Sequence, residues 1–382
     1  MPSVSRKAFF YLIVAIGFIY IVLYGHLFKM VGVLFALSLM LTVHELGHFL
    51  AAQVTGYPVE EFALGMGSTI LYSHQFEKTL FTIRAFPLGA FVKMADDLDD
   101  PKRYSPRRLP GRICVLLAGS LANIVLAIAL TGGRVYFYGQ KPQSLTISSV
   151  KSGLAADKAG FKAGDLFTHL NGQAIKRPLP LLAKIRENPG RSLSIEVKRK
   201  GKTLSLTLTP GKNDAGYGVA GFSAVPTIVE GKAVEYDFLQ AMTHSTKITL
   251  AQAIFTAKMA WGVIKRLFTF RALPQGVGGP LRVAQSAWSA STMEQLIAIT
   301  ASLSVSIGVF NLLPIPLLDG GRICVALIAS LFGLIFGFLR WSQEKQREKL
   351  ENFEMSISLL GLVCLLGLFV LSSYQDILAL LS

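Results

Sequence analysis

The sequence predicts an α-helical polytopic membrane protein of about five transmembrane helices, with one small α+β domain outside the bilayer. Three observations predict it. The 382 residues are 52% hydrophobic and only 16% charged, with a mean hydropathy of +0.49, where a soluble chain of this length would carry more charge. Five apolar runs are long enough to cross a bilayer, which takes about 20 residues. A middle stretch, by contrast, alternates apolar and polar residues in the manner of strands.

The apolar runs cover residues 8–28, 31–52, 113–133, 295–313 and 354–374. The first follows Arg6-Lys7 and lacks a small-residue cleavage site, so residues 1–30 read as an uncleaved N-terminal anchor rather than a signal peptide. Basic residues set the orientation. Arg6 and Lys7 put the N-terminus in the cytoplasm, and Lys102, Arg103, Arg107, Arg108 and Arg112 put the loop after the second run there too. The stretch "RWSQEKQREKL" at 340–350 is cytoplasmic by the same rule, so the apolar segment 322–339 reads as a helix packed at the cytoplasmic face rather than a sixth span.

Residues 134–293 then lie on the outer side. "SLSIEVKRKGKTLSLTL" predicts a hairpin, with Leu193, Ile195 and Val197 against Leu204, Leu206 and Leu208 across a Lys200-Gly201 turn. With the helix and turns before it, this makes a domain over 143–212. Residues 213–293 read as a linker, and "VEYDFLQAMTHSTKITLAQAIFTAKMAWGVIKRLF" has helical period. That helix either lies on the membrane surface, anchored by Trp261 and Phe268, or packs on the small domain.

The formal charge of +15 comes from basic residues at the ends of apolar runs and across the middle domain, without an aromatic-and-basic stripe on which bases could stack. Membrane topology and anionic headgroups account for it, and nucleic acid is excluded as a partner. Cys114, Cys324 and Cys364 lie in apolar stretches without metal-like spacing and read as small core residues.

Ionisable groups within a span cost roughly 2.5–3.5 kcal/mol each on insertion scales and mark function. The second run carries three, in "HELGH" at 44–48. His44 and His48 are four apart and share a helix face, so both imidazoles can meet one zinc ion. Glu45, beside them, can take a proton from a water at the ion and hand it to a leaving amine. Zinc needs a third protein ligand. No other histidine is well placed, which points to a carboxylate.

The second constellation is "GVFNLLPIPLLDGGRI" at 308–323. Pro314 and Pro316 break the helix, and irregular backbone at that depth is tolerated where it lines a wet cavity. Asp319, before Gly320-Gly321, can turn inward as an oxygen ligand, and Asn311 offers an amide to a developing oxyanion. Alone, the stretch also reads as a helix end capped by Asp-Gly. Paired with "HELGH" at matching depth, it reads as the other half of a metal site.

These two motifs with a small β-rich domain between them resemble the bacterial site-2 proteases, intramembrane zinc metalloproteases, and among them the regulator-of-sigma-E protease group. The resemblance spans roughly residues 31–376. It implies one Zn2+ held by His44, His48 and Asp319, with Glu45 as catalytic base and Asn311 holding substrate or the oxyanion. It makes Pro314, Pro316, Gly320 and Asn123 structural at the site. "LLAGSLANIVLA" at 116–127 resembles the family's glycine-proline-asparagine motif, with Ser120 where proline is usual and Asn123 matching. "GVGGPLRVAQSA" at 276–287 resembles the segment before the aspartate helix. Residues 62–94 occupy the place of a membrane-reentrant β-hairpin, and the middle domain resembles a PDZ domain, one where some relatives have two.

The resemblance thus implies a catalytic membrane domain in two parts, 31–133 and 294–382. It implies a multi-pass protein of the bacterial inner membrane that cleaves single-span proteins such as anti-sigma factors or signal-peptide remnants. Its partners are then transmembrane substrates and the lipid bilayer; the residues carry no signal of oligomeric state. The site opens to the cytoplasm, and the outer PDZ-like domain gates entry or grips peptide carboxyl termini. The other readings are an inactive metal-holding scaffold and an ion-pathway protein. The complete set of Glu45, His44, His48 and Asp319 argues against the first, and the lack of an evident repeat against the second.

Overall fold

The computed structural model describes residues 6–94, 109–175, 178–212, 216–229, 233–268, 292–338 and 343–381, with the isolated positions 285, 288 and 290. The basic loop residues Lys102, Arg103, Arg107 and Arg108, Arg340, and nearly all of the 276–287 segment lie outside them. The chain divides into two compact units, Met1–Arg134 with Phe238–Ser382, and Val135–Asp237.

In the first unit, helix α1 runs unbroken over Arg6–Thr55. Two separate spans were expected here, 8–28 and 31–52, and the structure corrects that: the stretch "GHLFKM" contains neither proline nor a turn-forming pair, so nothing stops the helix. At 1.5 Å per residue it is about 75 Å long, more than twice a hydrocarbon core. Among the described residues, four helical stretches are long and apolar enough to span a membrane: Lys29–Thr55, Leu109–Tyr138, Met293–Asn311 and Met355–Tyr374. The second is helix α2 (Leu109–Tyr138).

Between α1 and α2 lies a sheet of two long bent strands, β1 (Val59–Phe76) and β2 (Thr79–Met94). Val59–Leu64 pairs with Ala90–Met94, Ile70–Phe76 pairs with Thr79–Arg84, and Glu61–Leu64 also has Leu80–Ile83 as partners. The strands therefore fold back on themselves into a curled sheet with Ala90–Met94 at one edge. Phe49 of α1 stacks against Phe62 and Phe81 at 5.2 and 5.6 Å, fixing the sheet to the helix.

Helix α1 meets α2 closely because Gly47 has no side chain. A Cβ there would stand 2.5 Å from the Ala118 carbonyl oxygen and 2.8 Å from the Ala122 methyl. The unit continues after the small domain.

The small unit holds β3 (Gln143–Val150), α3 (Ala155–Lys158), β4 (Leu166–Leu170), β5 (Gln173–Ala174), α4 (Pro178–Glu187), β6 (Leu193–Arg199), β7 (Lys202–Leu208), β8 (Gly211–Lys212), β9 (Gly218–Val219) and β10 (Phe222–Ile228). The predicted hairpin forms in the expected register, Leu193 opposite Leu208 and Val197 opposite Leu204, with Lys200 and Gly201 at positive φ in the turn. Phe167, Ile195, Val197 and Leu208 are fully buried in its core.

The main sheet runs in the order β10-β3-β4-β6-β7. Strand β10 falls in the 213–293 stretch expected as linker, so the sheet of the small domain extends past residue 212. Pro226 obscured it: a proline argues against a central strand, but β10 is an edge, where a missing N–H is tolerated.

Helix α5 (Phe238–Phe268) returns the chain to the membrane unit. Ala253 packs against Ala127 of α2 and against Val305 and Val309 of α6 (Met293–Asn311), so α5 has a seat among these helices. Leu250, Ile254, Phe255 and Trp261 of the same helix are exposed. A bent segment, 312–318, leads to α7 (Asp319–Phe338), and α8 (Gln343–Leu381) runs from the basic stretch through the last apolar run.

Candidate metal centre

The four-residue spacing of His44 and His48 does what a helix dictates. Both rings project from one side of α1, centroids 4.7 Å apart and nearly perpendicular, with their Nε2 atoms 3.2 Å apart. The third member comes from the other end of the unit. Asp319 opens α7, and its Oδ2 lies 3.2 Å from His44 Nε2 and 3.4 Å from His48 Nε2. All three residues are buried.

Those separations can be tested against a metal. Ligands 2.0–2.1 Å from a tetrahedral zinc stand about 3.3 Å from one another. The three donor atoms here are spaced at 3.2, 3.2 and 3.4 Å, and they are two nitrogens and an oxygen, a donor set zinc accepts. Asp319 Oδ2 makes no well-formed hydrogen bond despite its two imidazole neighbours. A buried carboxylate oxygen facing two nitrogens without accepting an N–H is what a shared cation would explain. The residues fit the group.

Glu45 lies close by, its carboxylate within 4.8 Å of the imidazole nitrogens. It is engaged elsewhere: Oε2 accepts the Val92 backbone N–H at 3.2 Å. The sheet edge thus touches the carboxylate directly. A second tie holds that edge to α1, since Gly89 N–H donates to Ser38 Oγ at 3.3 Å.

Asn311, the last residue of α6, directs its amide at His44 Nε2 from 3.1 Å. The helix ends there because Pro314 and Pro316 follow. Within the bend, Leu317 takes a positive φ of 86°, unusual for a residue with a branched side chain and a sign of local strain. The bend can be this tight because Gly320 is bare: a Cβ there would meet the carbonyl oxygens of Leu312 and Leu313, the latter at 2.6 Å. Pro316 is backed by α8, where Gly361 stands against its carbonyl and ring. Asn123, on α2, is fully buried and its amide nitrogen lies 3.4 Å from His44 Nδ1.

The structure therefore brings together His44, Glu45, His48, Asn123, Asn311 and Asp319, with Pro314, Pro316 and Gly320 shaping the bend. Three groups escaped the sequence reading. The Val92 N–H and the Val115 carbonyl, which accepts from His48 Nδ1 at 2.8 Å, are backbone atoms and carry no residue signature. Gly119 is the third: a Cβ on it would collide with His48 Nε2 and come within 2.6 Å of His48 Cε1 and 2.9 Å of His44 Cε1. Its signal lies in "LLAGSLAN", as the glycine directly before Ser120 in the motif that also holds Asn123.

A Clostridium perfringens protein provisionally named a zinc metalloprotease is 30% identical over 354 residues, covering 90% of this chain and 97% of its own. The regulator of sigma-E protease of Salmonella typhimurium is 24% identical, with 91% and 99% covered. The chloroplast membrane metalloprotease ARASP of Arabidopsis thaliana is 27% identical, with 88% and 76% covered. Among solved structures, the PDZ domain of an SdrC-like protein from Listeria monocytogenes aligns with 21% of this chain and 86% of its own, at 24% identity and a TM-score of 0.20. The sequence profile described as peptidase family M50 matches residues 32–337, a span containing every residue of the centre. The chain belongs to peptidase family M50: it is a multi-pass membrane zinc metalloprotease that acts on membrane proteins.

Proposed function

We propose that His44, His48 and Asp319 hold the zinc and that Glu45 is the base of an intramembrane peptide hydrolysis. The carrying observation is the mutual spacing of the three donor atoms, 3.2–3.4 Å, contributed by two helices distant in sequence. A zinc ion in that position supplies Lewis acidity and makes hydroxide available near neutral pH. Glu45 takes the proton of the attacking water and returns it to the leaving nitrogen. Asn311 donates its amide hydrogen to the oxyanion that develops on the scissile carbonyl.

A transmembrane substrate hides its peptide bonds in helical hydrogen bonds, so it must unwind first. The sheet edge at Ala90–Met94, paired with β1 on one side only, offers backbone groups to replace those lost, beside the Glu45 carboxylate. Substrates in this proposal are single-span proteins, among them anti-sigma factors or signal-peptide remnants; the name of the Salmonella relative, regulator of sigma-E protease, supports the sigma-factor part of that reading.

Arg112, with the basic residues before it, and the basic start of α8 support a site opening to the cytoplasm of a bacterial inner membrane. The PDZ-like domain lies outside in the same proposal, where it gates entry. An unbroken α1 crosses once, so its start at Arg6 falls on that outer side and not in the cytoplasm, where Arg6 and Lys7 were expected to put it. The catalytic domain is then split in two around the PDZ-like domain, with the first thirty residues as an added anchor. Reconstituting the wild type and Glu45→Gln with a model transmembrane substrate tests the proposal. A base predicts cleavage lost with zinc retained, whereas a metal-holding scaffold predicts no zinc-dependent cleavage by either form.

A further inference from the structure

Val115, Gly119 and Asn123 stand at four-residue steps on α2 and share one face of it. Both imidazoles of the metal centre lie over that face. Val115 accepts from His48 Nδ1 at 2.8 Å, Gly119 leaves room for the two rings, and Asn123 meets His44 Nδ1 at 3.4 Å. We propose that Asn123 is the positioning residue of His44: its side-chain oxygen accepts the Nδ1–H and fixes the tautomer that presents Nε2 as a lone pair to zinc. The Val115 carbonyl does the same for His48. The inference rests on the reading of His44 and His48 as zinc ligands.

Proton count decides the tautomer. A neutral imidazole carries one N–H, and a nitrogen that binds metal must be the bare one. With Nε2 turned to the centre, His44 Nδ1 is a donor and needs an acceptor. As placed, Asn123 presents Nδ2, a second donor, while its Oδ1 is buried without a partner. The two amide atoms are interchangeable by rotation about Cβ–Cγ, and their assignment follows the hydrogen-bond network. Exchanging them gives the Nδ1–H its acceptor and engages the orphaned oxygen. The opposite tautomer would put the proton on Nε2, facing His48 and Asp319, where no metal could be bound.

Asn123 is also held firmly enough to orient another group. It is fully buried, and its carbonyl accepts from Ser304 Oγ of α6 at 2.8 Å. One turn further along α6, a Cβ on Gly308 would stand 2.8 Å from the Ser120 carbonyl oxygen and 3.3 Å from Asn123 Cβ. The two helices touch at Asn123, which fixes the backbone from which its side chain reaches His44.

The test compares Asn123→Leu and Asn123→Asp in the full chain, reading zinc affinity by chelator competition and the visible spectrum of the cobalt(II)-substituted protein. Losing the acceptor lowers zinc affinity about 10- to 100-fold and shifts the cobalt bands. Asp restores the acceptor, and with it an affinity at or above wild type. Wild-type affinity and spectrum in the Leu variant overturn the proposal, as does an Asp variant that falls with it. Should the Leu substitution prevent folding, the Asp variant decides alone, and an about tenfold loss overturns the proposal. A His44→Ala variant that keeps its zinc would instead overturn the ligand assignment on which this rests.

Discussion

His44 Nε2 and Asp319 Oδ2 lie 3.2 Å apart, one on the first helix of the chain and the other on a helix that starts beyond the small domain. The contact closes the membrane unit around its polar centre. Leaving either partner out strands the other's buried polar atoms, which makes the pair sensitive to single substitutions.

Asp319→Ala removes one of three donors. Zinc content of the purified protein should fall steeply, and added zinc should restore cleavage only in part. Metal analysis after dialysis checks this; full zinc occupancy in the variant would count against Asp319 as a ligand.

Glu45→Gln keeps the shape and removes the base. General-base losses of about 10²- to 10⁴-fold in cleavage rate are expected, with zinc content unchanged. A fall in both together would move Glu45 from base to ligand.

Gly119→Ala puts a methyl group where the two imidazoles lie. Overpacking of this kind costs about 1–3 kcal/mol, and here the strain falls on the ligand rings. The variant should melt earlier in detergent and bind zinc more weakly. Ala at Gly133, where a Cβ would meet nothing within 4 Å, serves as the control and should leave both unchanged.

How much of this was legible follows from where the information resides. "HELGH" and the proline-broken "NLLPIPLLDGG" spell out side chains at fixed spacings, so both halves of the centre were readable. Their approach to one point was implied only by resemblance, since no local rule joins residues so far apart. The unbroken α1 was missed because two apolar runs joined by a few polar residues look the same whether or not the chain turns between them. Strand β10 was missed because Pro226 is a strand-breaking signal everywhere except at an edge. The Val92 N–H and Val115 carbonyl are contributions any residue could make.

In the small domain, Asp165 is fully buried and Arg199 donates to both its oxygens, at 2.5 and 2.6 Å, while the Lys162 N–H adds a third bond. Burial alone would raise this carboxyl, but the Arg199 and Lys162 bonds prevail and hold it below the ordinary range. A depressed folded value stabilises at every pH above the unfolded one, about 3.9, and the contribution is lost as pH falls through the folded value. Hydrogen exchange in β4 and β6 should therefore be insensitive to this pair from neutral pH to about 4 and rise below that. Arg199→Met should raise it already at pH 7, by about 3 kcal/mol of lost protection, the lower end for a broken buried pair because Arg199 keeps some contact with water.

Zinc K-edge absorption on the purified wild-type protein and on Asp319→Ala tests the metal assignment most directly. The wild type should show two imidazoles and at least one carboxylate oxygen around the ion at about 2.0–2.1 Å, with the carboxylate lost in the variant. A wild-type ion bound by fewer than two imidazoles, or by sulfur, would contradict the assignment.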